Sequence, residues 1–152
     1  MNLKNIGKYN SKEKKELHFS IDDVFKSLIE ISEKKIPLKK HYFFKELYKI
    51  WKKYKIRTGL NVFFENIIDN KSKSLKNVRK INKELSENWI YFNFHALNPS
   101  LPPYKQKIND QKNTFKKITN EIKRFAGKKY LSKYIRLHHY SESFELSKFF
   151  QQ

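Results

Sequence analysis

The sequence has no cysteine, and only three glycines, four prolines and two alanines in 152 residues. Without cysteine, disulfides and thiolate zinc sites are excluded, and the redox compartment is left open. No apolar run reaches the roughly 18 residues that a membrane-spanning helix requires. The opening segment, "MNLKNIGKYNSKEKKEL", is polar and lacks the apolar middle of a secretory signal. A soluble, cytoplasmic protein with no membrane partner is therefore expected. Carboxylates are also scarce, with 15 set against 34 cations for a formal net charge of +19.

Among those cations arginine is the rare one. Only Arg57, Arg79, Arg124 and Arg136 occur, and the other 30 are lysines spread along the whole chain. Proteins that read bases lean on arginine, whose planar fork pairs bidentately with guanine. The wealth of Lys, Asn, Ile, Phe and Tyr is what an AT-rich coding sequence would give. Coding bias accounts for the charge, and a basic nucleic-acid-binding protein using a Lys-rich surface stands as the alternative reading.

Hydrophobic residues make up 38% of the chain and aromatic residues 16%, which argues against disorder. A chain of this length buries about two-thirds of its unfolded surface, enough for one core. The expectation is a single domain over 1–152, with a polar extension at 1–16 and a folded part at 17–152.

Hydrophobic periodicity divides that folded part into alternating strands and helices. "LHFSI" reads as a first strand, and Val24, Phe25, Leu28, Ile29 and Ile31 then recur at helical spacing as far as Pro37. "YFFKELYKIWKKY" gives a second helix, "IRTGLNVFFE" a second strand, and Ser74 opens a helix carrying Leu75, Val78, Ile81 and Leu85. "NWIYFNFHA" is the clearest strand. Asn109 or Asp110 caps a long helix that Gly127 closes, "KYIRLHHY" reads as a fourth strand, and "SESFELSKFF" begins a last helix. Such alternation predicts an α/β fold of parallel β/α units with about four strands flanked by helices.

The chemistry of parallel α/β folds gathers at the carboxyl ends of the strands. Asp22 and Asp23 follow the first strand, Glu65 ends the second, His95 the third, and His138 and His139 the fourth. The two aspartates have a local explanation as well: Ser20-Ile21-Asp22-Asp23 has the spacing of a capping box at a helix start. Alternation along "NWIYFNFHA" puts Asn93 and His95 on one face. Along "YIRLHHY" it puts Arg136 and His138 on one face and His139 on the other. If His95 lines a site, its partner on the fourth strand should be His138. His18 and His41 lack such company and read as structural.

Taken together, "FSIDDVFKSL", "YFNFHALNPSLPPY" and "IRLHHYSES" resemble the polysaccharide deacetylase family, closest to its divergent deacetylase-like members. The resemblance runs from about His18 to the chain end. It implies a (β/α) barrel, a divalent metal, and amide hydrolysis at N-acetyl groups, or ester hydrolysis at O-acetyl groups, of a carbohydrate substrate. It also implies Asp22 as general base, Asp23 and His95 as metal ligands, and Arg136 orienting Asp22. Zinc suits imidazole and carboxylate ligands, with cobalt or manganese as substitutes.

Two features depart from that pattern. The family has a second histidine four residues after the first, where this chain has Pro99. Its barrels are also longer, so this sequence corresponds to the front portion of one, and a truncated, weakly active or inactive protein is expected. A partial sheet leaves an open edge, for which self-association or a complementing chain is the expected partner.

Overall fold

The computed structural model describes residues 18–140 and 143–150. The expected extension at 1–16 lies outside them. Five strands and four α-helices follow in the order β1 (Phe19–Ile21), α1 (Phe25–Glu33), α2 (Tyr42–Tyr54), β2 (Thr58–Phe63), β3 (Glu65–Ile68), β4 (Lys71–Ser74), β5 (Ile90–Ala96), α3 (Ile108–Phe125) and α4 (Phe144–Phe150). No helix among the described residues is long and apolar enough to cross a membrane.

Three strands form an all-parallel sheet in the order β1-β2-β5. Its register sets Leu60 beside Phe92 and Val62 beside Phe94, and Gly59 beside Tyr91 and Asn61 beside Asn93. Side chains alternate across a strand, so the first two pairs share one face of the sheet and the last two the other. The apolar face packs against α3, with the Phe92 and Phe125 rings 5.1 Å apart and the Phe94 and Phe115 rings 5.4 Å apart, each pair edge to face. Leu60, Val62, Ile90 and Phe92 are fully enclosed there, together with Phe25, Leu28 and Trp89. Glycine is needed at position 59, where a Cβ would stand 2.7 Å from Asn93 Nδ2 and 2.9 Å from the Tyr91 ring. Its absence lets Tyr91 lie across β2.

The fold is α/β as expected, but several elements differ. "KYIRLHHY" does not form a strand. Leu131 makes one parallel bridge to Phe92, Ser132 N donates to the Phe92 carbonyl at 2.9 Å, and pairing stops there. The Ser132 hydroxyl then accepts from Tyr134 N at 2.9 Å, and the Arg136 carbonyl is taken by the His95 ring at 2.8 Å. Local side-chain bonds of this kind compete with a ladder. Ile135 and Leu137 consequently lie off the sheet, which has three strands and an open edge among the described residues.

The helix expected from Ser74 is two short 3₁₀ turns, Leu75–Asn77 and Asn82–Glu84. Leu75, Val78 and Ile81 are spaced by three residues, which suits the tighter helix, and the flanking Ser and Asn residues are weak α-helix formers. Arg79 fixes the segment by donating to the carbonyls of Ile31 at 3.2 Å and Ile36 at 2.8 Å, and by pairing with Glu84. The β3–β4 hairpin is an addition to the expected order. Asp69 and Asn70 at its turn have φ of 50° and 59°, the left-handed pair that a two-residue hairpin loop demands. Neither Asn109 nor Asp110 caps α3, whose N-cap is Lys107.

Candidate metal centre

The capping reading of the aspartate pair does not hold. Ser20 lies within β1, the N-cap of α1 is Val24, and no side chain caps that helix. Asp23 instead takes a left-handed backbone conformation with φ of 60°, which the short polar side chains of Asp and Asn tolerate best. This kink lets two consecutive carboxylates serve different neighbours.

Asp22 ends a row of polar groups that crosses all three strands. Asn93 Nδ2 on β5 donates to Asn61 Oδ1 on β2 at 2.7 Å, and Asn61 Nδ2 donates to Asp22 Oδ1 just past β1 at 2.6 Å. Both asparagines are buried. The other Asp22 oxygen, Oδ2, faces Arg136 Nε at 3.3 Å. One carboxylate is thus held from two sides while keeping partial access to solvent.

Asp23 faces the histidines. Its Oδ1 lies 3.9 Å from His95 Nε2, and His138 Nδ1 lies 3.2 Å from the same nitrogen. The far side of each ring meets a backbone carbonyl. His95 Nδ1 sits 2.8 Å from the Arg136 carbonyl, and His138 Nε2 sits 3.3 Å from the Pro99 carbonyl. A carbonyl can only accept, so a neutral ring that donates to it from the far nitrogen turns a lone pair towards its neighbour. Two ring nitrogens and a carboxylate oxygen face one point, an arrangement that could hold a metal ion. Phe63 walls the site, its ring 4.9 Å from that of His95 and 5.0 Å from that of His138.

A proton on His95 is disfavoured. Burial, the largest influence, holds the His95 pKa below its ordinary 6.5 despite the Arg136 carbonyl and the charges of Asp22 and Asp23. Asp23, His95 and His138 form a group able to hold a metal ion, with one ligand atom of each within 4.8 Å of the others. The donor set fits zinc: ligand atoms about 2.1 Å from a tetrahedral ion lie roughly 3.4 Å from one another, and the separations here bracket that value.

Of the residues singled out in the sequence, Asp22, Asp23, His95, Arg136 and His138 come together at the carboxyl end of the parallel sheet. Glu65 does not. It lies on β3, where its carboxylate accepts from Asn98 Nδ2 at 3.5 Å. His139, with φ of 57°, is exposed. His41 is buried and pairs with Glu30 at 3.2 Å. Asn61 escaped sequence reasoning because an asparagine in a strand carries no chemical signature, although its place opposite Asn93 follows from strand register. The chain matches no protein-family model, no curated protein and no solved structure.

Proposed function

We propose that the protein is a metal-dependent deacetylase-like hydrolase acting on acetylated carbohydrate. Its site sits at the carboxyl end of a three-strand parallel sheet, and weak activity or none is expected of it. The observation that supports this reading is the convergence of two imidazole lone pairs and one carboxylate beside a second, separately held carboxylate. His95, His138 and Asp23 would hold the ion, three protein ligands with a position left for solvent, as catalytic zinc sites have. When bound, a divalent ion supplies Lewis acidity, polarising an acyl carbonyl and bringing the pKa of a water molecule from about 16 towards 7.

The chain's own residues do the rest. Asp22 takes the proton of the attacking water as general base, and Arg136 and Asn61 hold its two oxygens so that it keeps one orientation. The Arg136 and Pro99 carbonyls fix the tautomers of the two rings, as the outer partners of ligand histidines do. In this reading His138 stands in for the histidine that the deacetylase pattern places at position 99, reaching the same neighbourhood from the other end of the chain. The open sheet edge, where a barrel would continue, is the reason to expect slow turnover.

Calorimetric titration of zinc into the wild type, Asp23→Asn and His95→Ala tests the reading. Asparagine suits the left-handed backbone at position 23, so that variant isolates the charge. One saturable site is expected in the wild type, weakened at least about tenfold in each variant. Acetate release from chitin oligomers should fall well below the roughly 10 per second typical of enzymes. Equal binding by all three proteins, or binding by none, would overturn the proposal.

A further inference from the structure

Three of the four arginines are occupied. Arg79 is clasped between Glu84 and two carbonyls, Arg124 donates to Glu121 at 2.5 Å and to the Leu75 and Val78 carbonyls at 2.8 and 2.9 Å, and Arg136 pairs with Asp22. Arg57 differs. It precedes β2, is exposed, and lies over the Tyr91 ring at 5.2 Å from its centroid, meeting no carboxylate among the described residues. This places it at the amino-terminal end of the sheet, opposite the histidines.

A cavity of about 820 Å³ opens at that end. Lys55, Arg57, Lys129 and Lys133 contribute four positive charges to its lining, and no carboxylate lines it among the described residues. Half of the remaining lining is aromatic, from His18, Tyr91 and Tyr134. The Tyr91 hydroxyl and His18 Nδ1 are 3.0 Å apart, and the His18 ring lies 4.7 Å from that of Tyr134. Tyr134 is 56% exposed, so the cavity has an aromatic ring open to a ligand, with Tyr91 beside it under Arg57. Gly59 contributes by leaving room for Tyr91 to form part of the wall.

We propose that this cavity is a nucleotide site, binding phosphate through Arg57 and the lysines and the base against the tyrosine rings. Unmatched cations alone would draw any anion. Cations interleaved with exposed aromatic faces select an anion that carries a flat heterocycle, since stacking on such rings is worth about 1–3 kcal/mol per base. The volume falls within the range of about 300–1,000 Å³ typical of small-ligand pockets and so favours a mononucleotide over a polymer. Nothing in this site depends on the metal centre at the other end of the sheet.

Titration with AMP, ribose 5-phosphate and adenosine at low salt tests the assignment. AMP should bind at least about fivefold more tightly than ribose 5-phosphate, from stacking. It should exceed adenosine by at least about tenfold, from the charged contacts. Tyr134→Ala should bring AMP down to the level of ribose 5-phosphate. Arg57→Gln with Lys133→Gln should bring it down to the level of adenosine, and His138→Ala should leave it unchanged. All these positions are exposed or lie outside the hydrophobic core, and thermal unfolding of each variant checks that it is folded. Equal binding of AMP and ribose 5-phosphate would overturn the proposal, as would AMP binding that survives the double variant or that fails to saturate by about 1 mM. An affinity that grows with oligonucleotide length and ignores these variants would also overturn it, pointing to diffuse charge.

Discussion

His138 Nδ1 lies 3.2 Å from His95 Nε2, and each ring has its opposite nitrogen on a backbone carbonyl. With both near nitrogens unprotonated, the pair can share a cation. This contact turns a pair of aromatic side chains into a candidate ligand pair, and it singles out one of two adjacent histidines.

Substitution at positions 138 and 139 should therefore have unequal effects. His138→Ala removes a lone pair and is expected to weaken zinc binding by at least about tenfold, the scale seen when support for a metal site is lost. His139→Asn should leave affinity unchanged, because His139 is exposed and asparagine accepts its left-handed backbone. Calorimetry on the two variants makes the comparison, and equal losses would contradict it.

Asn61 offers a test of the polar row. It is buried, donates to Asp22 and accepts from Asn93. Asn61→Ala leaves the Asn93 amide without its acceptor, and an unsatisfied buried donor costs about 1–3 kcal/mol. Asn61→Asp keeps the acceptor but sets a second carboxylate against Asp22 in a buried position, so it should cost more. Urea unfolding midpoints should rank wild type, then Asn61→Ala, then Asn61→Asp.

The longer strands of the parallel sheet were legible because strands buried on both faces read as short runs rich in β-branched and aromatic residues, as in Thr58–Phe63 and Ile90–Ala96. Asp22, Asp23 and His95 follow from the rule that chemistry gathers at strand ends. His138 is a subtler case. Alternation along a strand pairs it with His95, yet no such strand forms, and the His95 ring holding the Arg136 carbonyl brings the segment across instead. Side-chain bonds of that sort leave no periodic trace in a sequence. The Ser74 segment misleads for a related reason: a spacing of three residues fits an α-helix and a 3₁₀ turn alike, and the Arg79 clasp that decides between them depends on residues more than 40 positions away. Asp69-Asn70 was a usable turn signal, masked by the polar "KSKS" strand that follows it.

Acid stability should depend on Glu87. The hydrogen bond from Lys39, at 2.7 Å, acts most strongly on it, followed by that from the Tyr48 hydroxyl, and its pKa is lowered to about 2 from an ordinary 4.5. A carboxylate with a depressed pKa contributes stability that is fully present above its unfolded value and is lost as pH falls through the folded one. The contribution should therefore be intact above about 4.5 and decline towards about 2. Glu87→Gln should flatten that part of the stability profile in urea melts between these limits. Because the group is partly exposed, added salt should shrink the difference.

Arg136 allows the proposed metal-binding and base roles to be tested separately within one residue. Its backbone carbonyl fixes the His95 tautomer, a contact that survives any ordinary substitution, whereas its guanidinium holds Asp22. Arg136→Ala should accordingly keep zinc affinity or raise it slightly, since it removes a positive charge near a bound cation. It should also free Asp22 to rotate and lower whatever acetyl hydrolysis the wild type supports by about ten- to a hundredfold, the scale of general-base assistance at its lower end. Calorimetry and an acetate-release assay on the same preparation read the two effects separately. Loss of zinc binding in Arg136→Ala would mean that the guanidinium shapes the ligand cluster itself, and unchanged hydrolysis with intact binding would remove Asp22 from the role of base.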